Sequence, residues 1–233
     1  MKVDLIIFDF DGVIADSETL ANQILADRLT GIGCATTLED AFEHYLGRSW
    51  ADCVTRFEAL WRRPGPDDLR AQVDAEIERR LPELKPVQGA PEFIRSCRAY
   101  ARCIASSSTP EWIERRLQLL ELSDQFPGAI FSTARHVRRG KPHPDIYLHA
   151  MQAMGASADS TLVIEDSVTG VAAAAASGAF VVGLCAGSHV RPGHADRLMA
   201  AGAHAICDDF DKVHALMTQG GGRSFSRPKV SAC

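Results

Sequence analysis

The sequence predicts an α/β protein, a doubly wound parallel sheet with an inserted helical cap. Three observations predict it. From residue 86 onward, short apolar runs rich in β-formers alternate with helical patterns, as parallel strands joined by crossover helices do. Between the first such run, at residues 3–8, and the second, residues 16–85 carry helical patterns only. The length of 233 residues also exceeds the roughly 150 of an average domain, which leaves room for a core plus an insertion.

Residues 3–8 (VDLIIF) read as a buried parallel strand that stops at Asp9-Phe10-Asp11-Gly12, so chemistry is expected at its C-terminal end. Helical patterns follow at 20–29, 38–45, 51–61 and 69–84, broken at Gly31-Ile32-Gly33, Gly47 and Pro64-Gly65-Pro66. Beyond Gly89, helices at 91–100, 111–120, 145–154, 169–176 and 195–201 alternate with strands at 102–105, 129–132, 161–164, 180–184 and 205–207. Right-handed crossovers then place ligands at the carboxyl ends of the strands. The expected division is a catalytic core of residues 1–15 and 86–219, a helical cap of 16–85, and a flexible Gly/Ser-rich tail of 220–233.

Composition narrows the function classes. Hydrophobic residues at 46% and charged residues at 24% are those of a globular protein. A net charge of -5 without a basic block argues against a nucleic-acid partner and suits a diffusible metabolite. Seven scattered cysteines without a C-x-x-C pair fit reduced thiols in a cytosol better than disulfides or zinc. The start has neither the h-region nor the cleavage site of a signal peptide, so a cytoplasmic location is expected. Residues 167–190 lack charge over a length that spans a bilayer, but five consecutive Ala and a Ser177-Gly178 break read as a helix followed by a buried strand, not a membrane segment. A monomer or weak homodimer is expected.

Four strand ends carry candidate chemistry. Asp9 and Asp11, two apart after the first strand, can face one ligand, and a divalent cation relieves their repulsion; a solvated acidic turn is the ordinary alternative. Ser106-Ser107-Ser108-Thr109 before a helix suits a phosphate oxygen or a plain N-cap. In Gly140-Lys141-Pro142-His143-Pro144, prolines stiffen the loop that presents Lys141, either as a fixed ammonium for a carboxylate and a phosphate or as a surface residue. Glu165-Asp166-Ser167 ends another apolar strand, where acids either cap a helix or complete a hard-cation site. Acid pair, Ser, Lys and acid pair, each at an expected strand end, are far more specific together than singly.

With these motifs in order as DFDGVIADS, ASSS, KPHPDI and VIEDSVTG, the chain resembles the haloacid dehalogenase-like hydrolase superfamily over roughly residues 1–215. The resemblance is to the subgroup whose cap follows the first motif, which includes small phosphatases and β-phosphoglucomutase. It implies a Rossmann-like core, Asp9 as nucleophile and Asp11 as general acid/base. Ser106, Ser107 and Lys141 would bind the transferring phosphoryl group. Mg²⁺ would be held by Asp9, the Asp11 carbonyl and Asp166, with Glu165 in support. The expected activity is a Mg²⁺-dependent phosphatase of sugar or sugar-acid phosphates.

In proteins of this kind the cap loop over the site reads the leaving group. Here it contains Arg48, suited to a second anionic group or to solvent, and Trp50, suited to stacking on a sugar or to packing between helices. A hexose-phosphate mutase is the alternative enzyme, weakened because the mutase Arg and His positions correspond to Trp50 and Ala21. A Schiff-base phosphonoacetaldehyde hydrolase is excluded, since no Lys lies between Lys2 and Lys85. A phosphate-accepting receiver module would share the acids and the Lys but has no use for a cap.

Overall fold

The computed structural model describes residues 2–46 and 50–219. Six strands, β1 (Leu5–Phe8), β2 (Ala101–Ser106), β3 (Ile130–Ser132), β4 (Thr161–Glu165), β5 (Phe180–Leu184) and β6 (Ala205–Cys207), form one sheet in the order β3-β2-β1-β4-β5-β6. Every pair is parallel, and Ile7 sits in register with Cys103 on one side and Val163 on the other. Strand order reverses between β1 and β4, so a crevice opens beyond their carboxyl ends. Residues 9 and 166 directly follow the two strands that border it.

Side-chain alternation divides the core. Ile6, Phe8, Ile104, Ile164 and Val182 face one apolar layer. Helices α5 (Ala90–Ser96), α6 (Pro110–Leu119) and α11 (Phe210–Gln219) cover it through Phe93, Ile113 and Val213. Leu5, Ile7, Ala105, Val163 and Val181 face the other, covered by α8 (Asp145–Ala153), α9 (Val168–Ala176) and α10 (His194–Ala200). A short helix α7 (Thr133–His136) follows β3. Both faces of a parallel sheet must be covered, which is why its strands read as unbroken apolar runs.

Between β1 and α5 the chain runs through α1 (Ser17–Gly31), α2 (Leu38–His44), α3 (Trp50–Trp61) and α4 (Leu69–Arg79). These helices enclose an apolar cluster of their own, built on Ile24, Leu29, Phe57 and Val73. Thr37 and Asp40 close a reciprocal capping box at the start of α2. The two crossings into this segment pair with each other: Asp16 N–H donates to the Lys85 carbonyl at 2.9 Å, and Val87 N–H to the Ile14 carbonyl at 2.9 Å.

Besides the short α7, three elements depart from the sequence reading. The expected helix over 69–84 ends at Arg79 and resumes as a single turn, Leu81–Glu83, because Pro82 restricts the residue before it and supplies no N–H. The helix expected over 91–100 ends at Ser96, whose hydroxyl donates back to the Phe93 carbonyl, and passes into a turn at Cys97–Ala99. Helix α11, passed over in the sequence reading, begins where the Asp209 carboxylate accepts the Lys212 N–H at 2.7 Å. The expected flexible tail, residues 220–233, lies outside the described residues.

Candidate active site at the β1–β4 crevice

Asp9 extends the β1 ladder by one bond, its N–H donating to the Ile164 carbonyl at 3.0 Å, before the chain folds back through Gly12. Gly12 has φ +79°, and a Cβ there would lie 1.9 Å from Asp166 Oδ2. Only glycine satisfies both the turn and the close approach. Lys141 is brought from the loop before α8, and its Nζ donates to Asp9 Oδ1 at 2.7 Å, Glu165 Oε1 at 2.6 Å and the Ala105 carbonyl at 3.2 Å. All three partners sit at strand ends.

The Asp11 side chain turns away from this cluster. Ser17 Oγ donates to its Oδ1 at 2.6 Å and Ser108 Oγ to its Oδ2 at 2.7 Å, so the carboxylate joins the β1 loop, the start of α1 and the β2 loop. Ser106 is buried at the end of β2, its Oγ accepting the Ser108 N–H at 3.1 Å, while the neighbouring Ser107 is exposed. Ser108, read in the sequence only as part of that run, is thus the residue of it that engages Asp11.

Asp166 is held from behind by two histidines of the segment after β5. His194 Nε2 donates to the Asp166 carbonyl at 2.6 Å, a tautomer set by Arg197, which donates to His194 Nδ1 at 3.3 Å. His189 Nε2 lies 3.0 Å from Asp166 Oδ2, and burial lowers the His189 pKa, so the ring is neutral and donates. Asp166 Oδ1 is buried without a hydrogen-bond partner among the described residues. Sequence reasoning missed both histidines.

Charge in the crevice is unbalanced. Asp9, Glu165 and Asp166 offer carboxylate oxygens within 4.8 Å of one another, against the single ammonium of Lys141. Burial raises the Asp9 and Asp166 carboxyls well above the usual range, and the neighbouring acids add to it. Burial would lower Lys141, but Asp9 and Glu165 hold it above its ordinary value. Burial would likewise raise Glu165, yet Lys141, the Ser167 N–H and the Tyr147 hydroxyl hold it down. Glu165 receives Lys141 and Tyr147 on Oε1 and Ser167 on Oε2, so its place is beneath the lysine. The orphaned Asp166 oxygen beside Asp9, in a hard all-oxygen set, fits a divalent cation, which would keep both acids ionised.

A cavity of about 220 Å³ opens on the other side of Asp11, bounded by Ser17, Glu18, Ser108 and Arg116 and roofed by Ile77 and Leu81. Glu18 is pushed up to about 7 by burial, with Asp11 and Asp166 adding to it. Trp50 does not reach this chamber. It packs on the apolar cluster of α1–α4 and lines a separate cavity with Leu29, Tyr45 and Phe57, with Arg70 over its ring at 5.1 Å. Arg48 lies outside the described residues.

Residues 3–178 match the family model for haloacid dehalogenase-like hydrolases. The chain belongs to that family. Among its relatives, this hydrolase is 23% identical to 6-phosphogluconate phosphatase of Escherichia coli over 196 residues, covering 82% of this chain and 86% of the relative. It is 30% identical to the phosphorylated carbohydrates phosphatase of Thermotoga maritima over 181 residues, covering 76% and 82%. The crystal structure of a family hydrolase from Deinococcus radiodurans, with bound phosphate and sodium, superposes with a TM-score of 0.84 at 28% identity, covering 94% of this chain and 96% of that one. Like these relatives, the chain is a hydrolase of the phosphoric monoester class. Among the described residues no helix is long and apolar enough to cross a membrane.

Proposed function

We propose that this hydrolase is a Mg²⁺-dependent phosphatase of small phosphorylated sugars or sugar acids, acting in the cytoplasm through a phosphoryl group carried on Asp9. The observation that carries the reading is Lys141, which fixes Asp9 at 2.7 Å on the floor of the crevice while Asp11 faces the chamber beside it. The Asp9 carboxylate attacks phosphorus and the ester P–O bond breaks. Asp11 delivers its proton to the leaving alkoxide oxygen, then takes one from the water that attacks the aspartyl-phosphate, and inorganic phosphate leaves. Lys141, Ser106 and loop N–H groups neutralise and orient the phosphoryl oxygens; Ser107, exposed at the rim, supplies at most a backbone N–H. Mg²⁺, held by Asp9, Asp166 and the Asp11 carbonyl, would offset charge on the transferring group.

Trp50 supports hydrolysis over mutase chemistry. A mutase must retain a doubly phosphorylated intermediate, and this side chain is committed to packing within the cap helices. The test is phosphate release from a panel of phosphorylated metabolites, with and without Mg²⁺, by wild type and Asp9→Asn. Release that needs Mg²⁺ and falls more than tenfold in the variant is expected. Metal-independent release, a variant above a tenth of wild type, or conversion of β-glucose 1-phosphate to glucose 6-phosphate outpacing release would overturn the reading.

A further inference from the structure

Arg116 is a charged residue buried where a surface helix would ordinarily present it to water. It lies on α6, is 1% exposed and lines the Asp11 chamber, where it is the only cation among the described lining residues. Its guanidinium lies over the Trp112 ring, and Nη1 donates to the Trp112 carbonyl at 3.2 Å. Nη2 has no hydrogen-bond partner among the described residues; Glu78 Oε1, from α4, stands 3.6 Å away, beyond hydrogen-bond range. Burial lowers the guanidinium to about 10, with Asp11 and Glu78 opposing, so it stays charged at any working pH. A buried, charged N–H without an acceptor is costly, and such a group calls for a partner.

The chamber supplies the place for one. Its wall carries Asp11, whose two oxygens are engaged by Ser17 and Ser108, leaving Arg116 as the group with unmet donor capacity. We infer that Arg116 is a specificity-determining residue that receives an oxyanion on the leaving group, a carboxylate or a second phosphate, and so selects anionic over neutral phosphorylated substrates. The inference rests on the proposed phosphatase reading and names the substrate class of the same site. Glu78 competes for the guanidinium from the cap side, and a ligand oxyanion at hydrogen-bond distance would displace that longer contact.

The test compares 6-phosphogluconate, sorbitol 1,6-bisphosphate and sorbitol 6-phosphate, which differ at the far carbon as carboxylate, phosphate and alcohol. Wild type is expected to favour an anionic member by at least tenfold in kcat/KM over sorbitol 6-phosphate, and the favoured one names the oxyanion. Arg116→Met should erase that preference through KM while leaving sorbitol 6-phosphate within threefold, and Arg116→Lys should restore part of it. Equal preference in wild type, or an equal loss on all three substrates in Arg116→Met, overturns the inference and leaves Arg116 a structural contact of Glu78. Should Arg116→Met fail to fold, calorimetric binding to Asp9→Asn decides, since it needs no turnover. Tighter binding of an anionic compound than of sorbitol 6-phosphate supports the inference, and equal binding overturns it. Absence of phosphate release by wild type, by contrast, counts against the phosphatase reading alone.

Discussion

Asp11 holds its place through hydroxyls on two different elements, Ser17 on α1 and Ser108 after β2, which aims its carboxyl at the chamber and away from the acid cluster. Asp11→Asn keeps that geometry and removes the proton, so hydrolysis of alkyl phosphates should fall about 10²- to 10⁴-fold, with a smaller loss on aryl phosphates, whose leaving groups need less protonation. Equal losses on both would refute the assignment. Glu18 gives a pH signature of stability. Folding raises its carboxyl from 4.5 to about 7, so as pH rises the unfolded chain loses that proton first, and the native state is progressively disfavoured between those values. Glu18→Gln should therefore gain in Tm over wild type as pH climbs from about 4.5 to 7 and keep a constant advantage above; parallel Tm curves would contradict it. At this scale Asp9, Asp11, Ser106, Glu165 and Asp166 could be picked out as candidates where a strand gives way to a helix, and Lys141 by the prolines around it; the structure brings Asp9, Lys141, Glu165 and Asp166 together. Ser108 reaches Asp11 across 97 residues of chain and His194 reaches Asp166 across 28, and no local pattern carries such pairings. Arg116 gave no signal at all, since an Arg on an amphipathic helix reads as solvated.

Helix α9 shows an element shaped by the site beneath it. Ala is worth about 1 kcal/mol more than Gly inside an exposed helix, so Gly170, two residues before a run of alanines, looks replaceable. Yet a Cβ at Gly170 would lie 1.6 Å from Glu165 Oε1, the atom that receives both Lys141 and Tyr147. Gly170→Ala is expected to destabilise by about 1–3 kcal/mol in urea unfolding and to lower activity by displacing Lys141. A neutral or stabilising result would mean that Glu165 does not fix the helix. The same contrast explains what was readable of the elements. Strand β5 coincides with its apolar run because Val181 to Leu184 are buried, and the short edge strand β6 coincides with its own although Ala205 and Ile206 are only half-buried. Helix α11 carries Phe210, Val213, Leu216 and Met217 at helical spacing behind an Asp209 cap, so its signal was present and was masked by the polar tail that follows.

Across the whole molecule, the cap helices meet the core through contacts on opposite flanks of the crevice. Arg191, after β5, pairs with both oxygens of Glu39 on α2 at 3.1 and 3.2 Å and lies over the Phe42 ring. Arg115 of α6 pairs with Glu78 of α4. Solvent-exposed pairs contribute about 0.2–1 kcal/mol each and weaken with salt, so these two contacts hold the α1–α4 segment to the core only shallowly. Glu39→Ala combined with Arg115→Ala should speed amide exchange in α2 and α4 by no more than about thirtyfold, and salt should have less effect on the variant than on wild type. Unchanged exchange would mean that apolar contacts, not these pairs, hold the segment to the core. The paired crossings have a different consequence, which concerns how such a chain can vary. Because Asp16 meets Lys85 and Ile14 meets Val87, seventy residues leave the sheet and return at the same point. The excursion behaves as an oversized hairpin loop, whose closure cost grows only with the logarithm of its length. Its content can be lengthened, exchanged or rebuilt without altering a single strand register, so this segment is free to diverge while the sheet stays as it is.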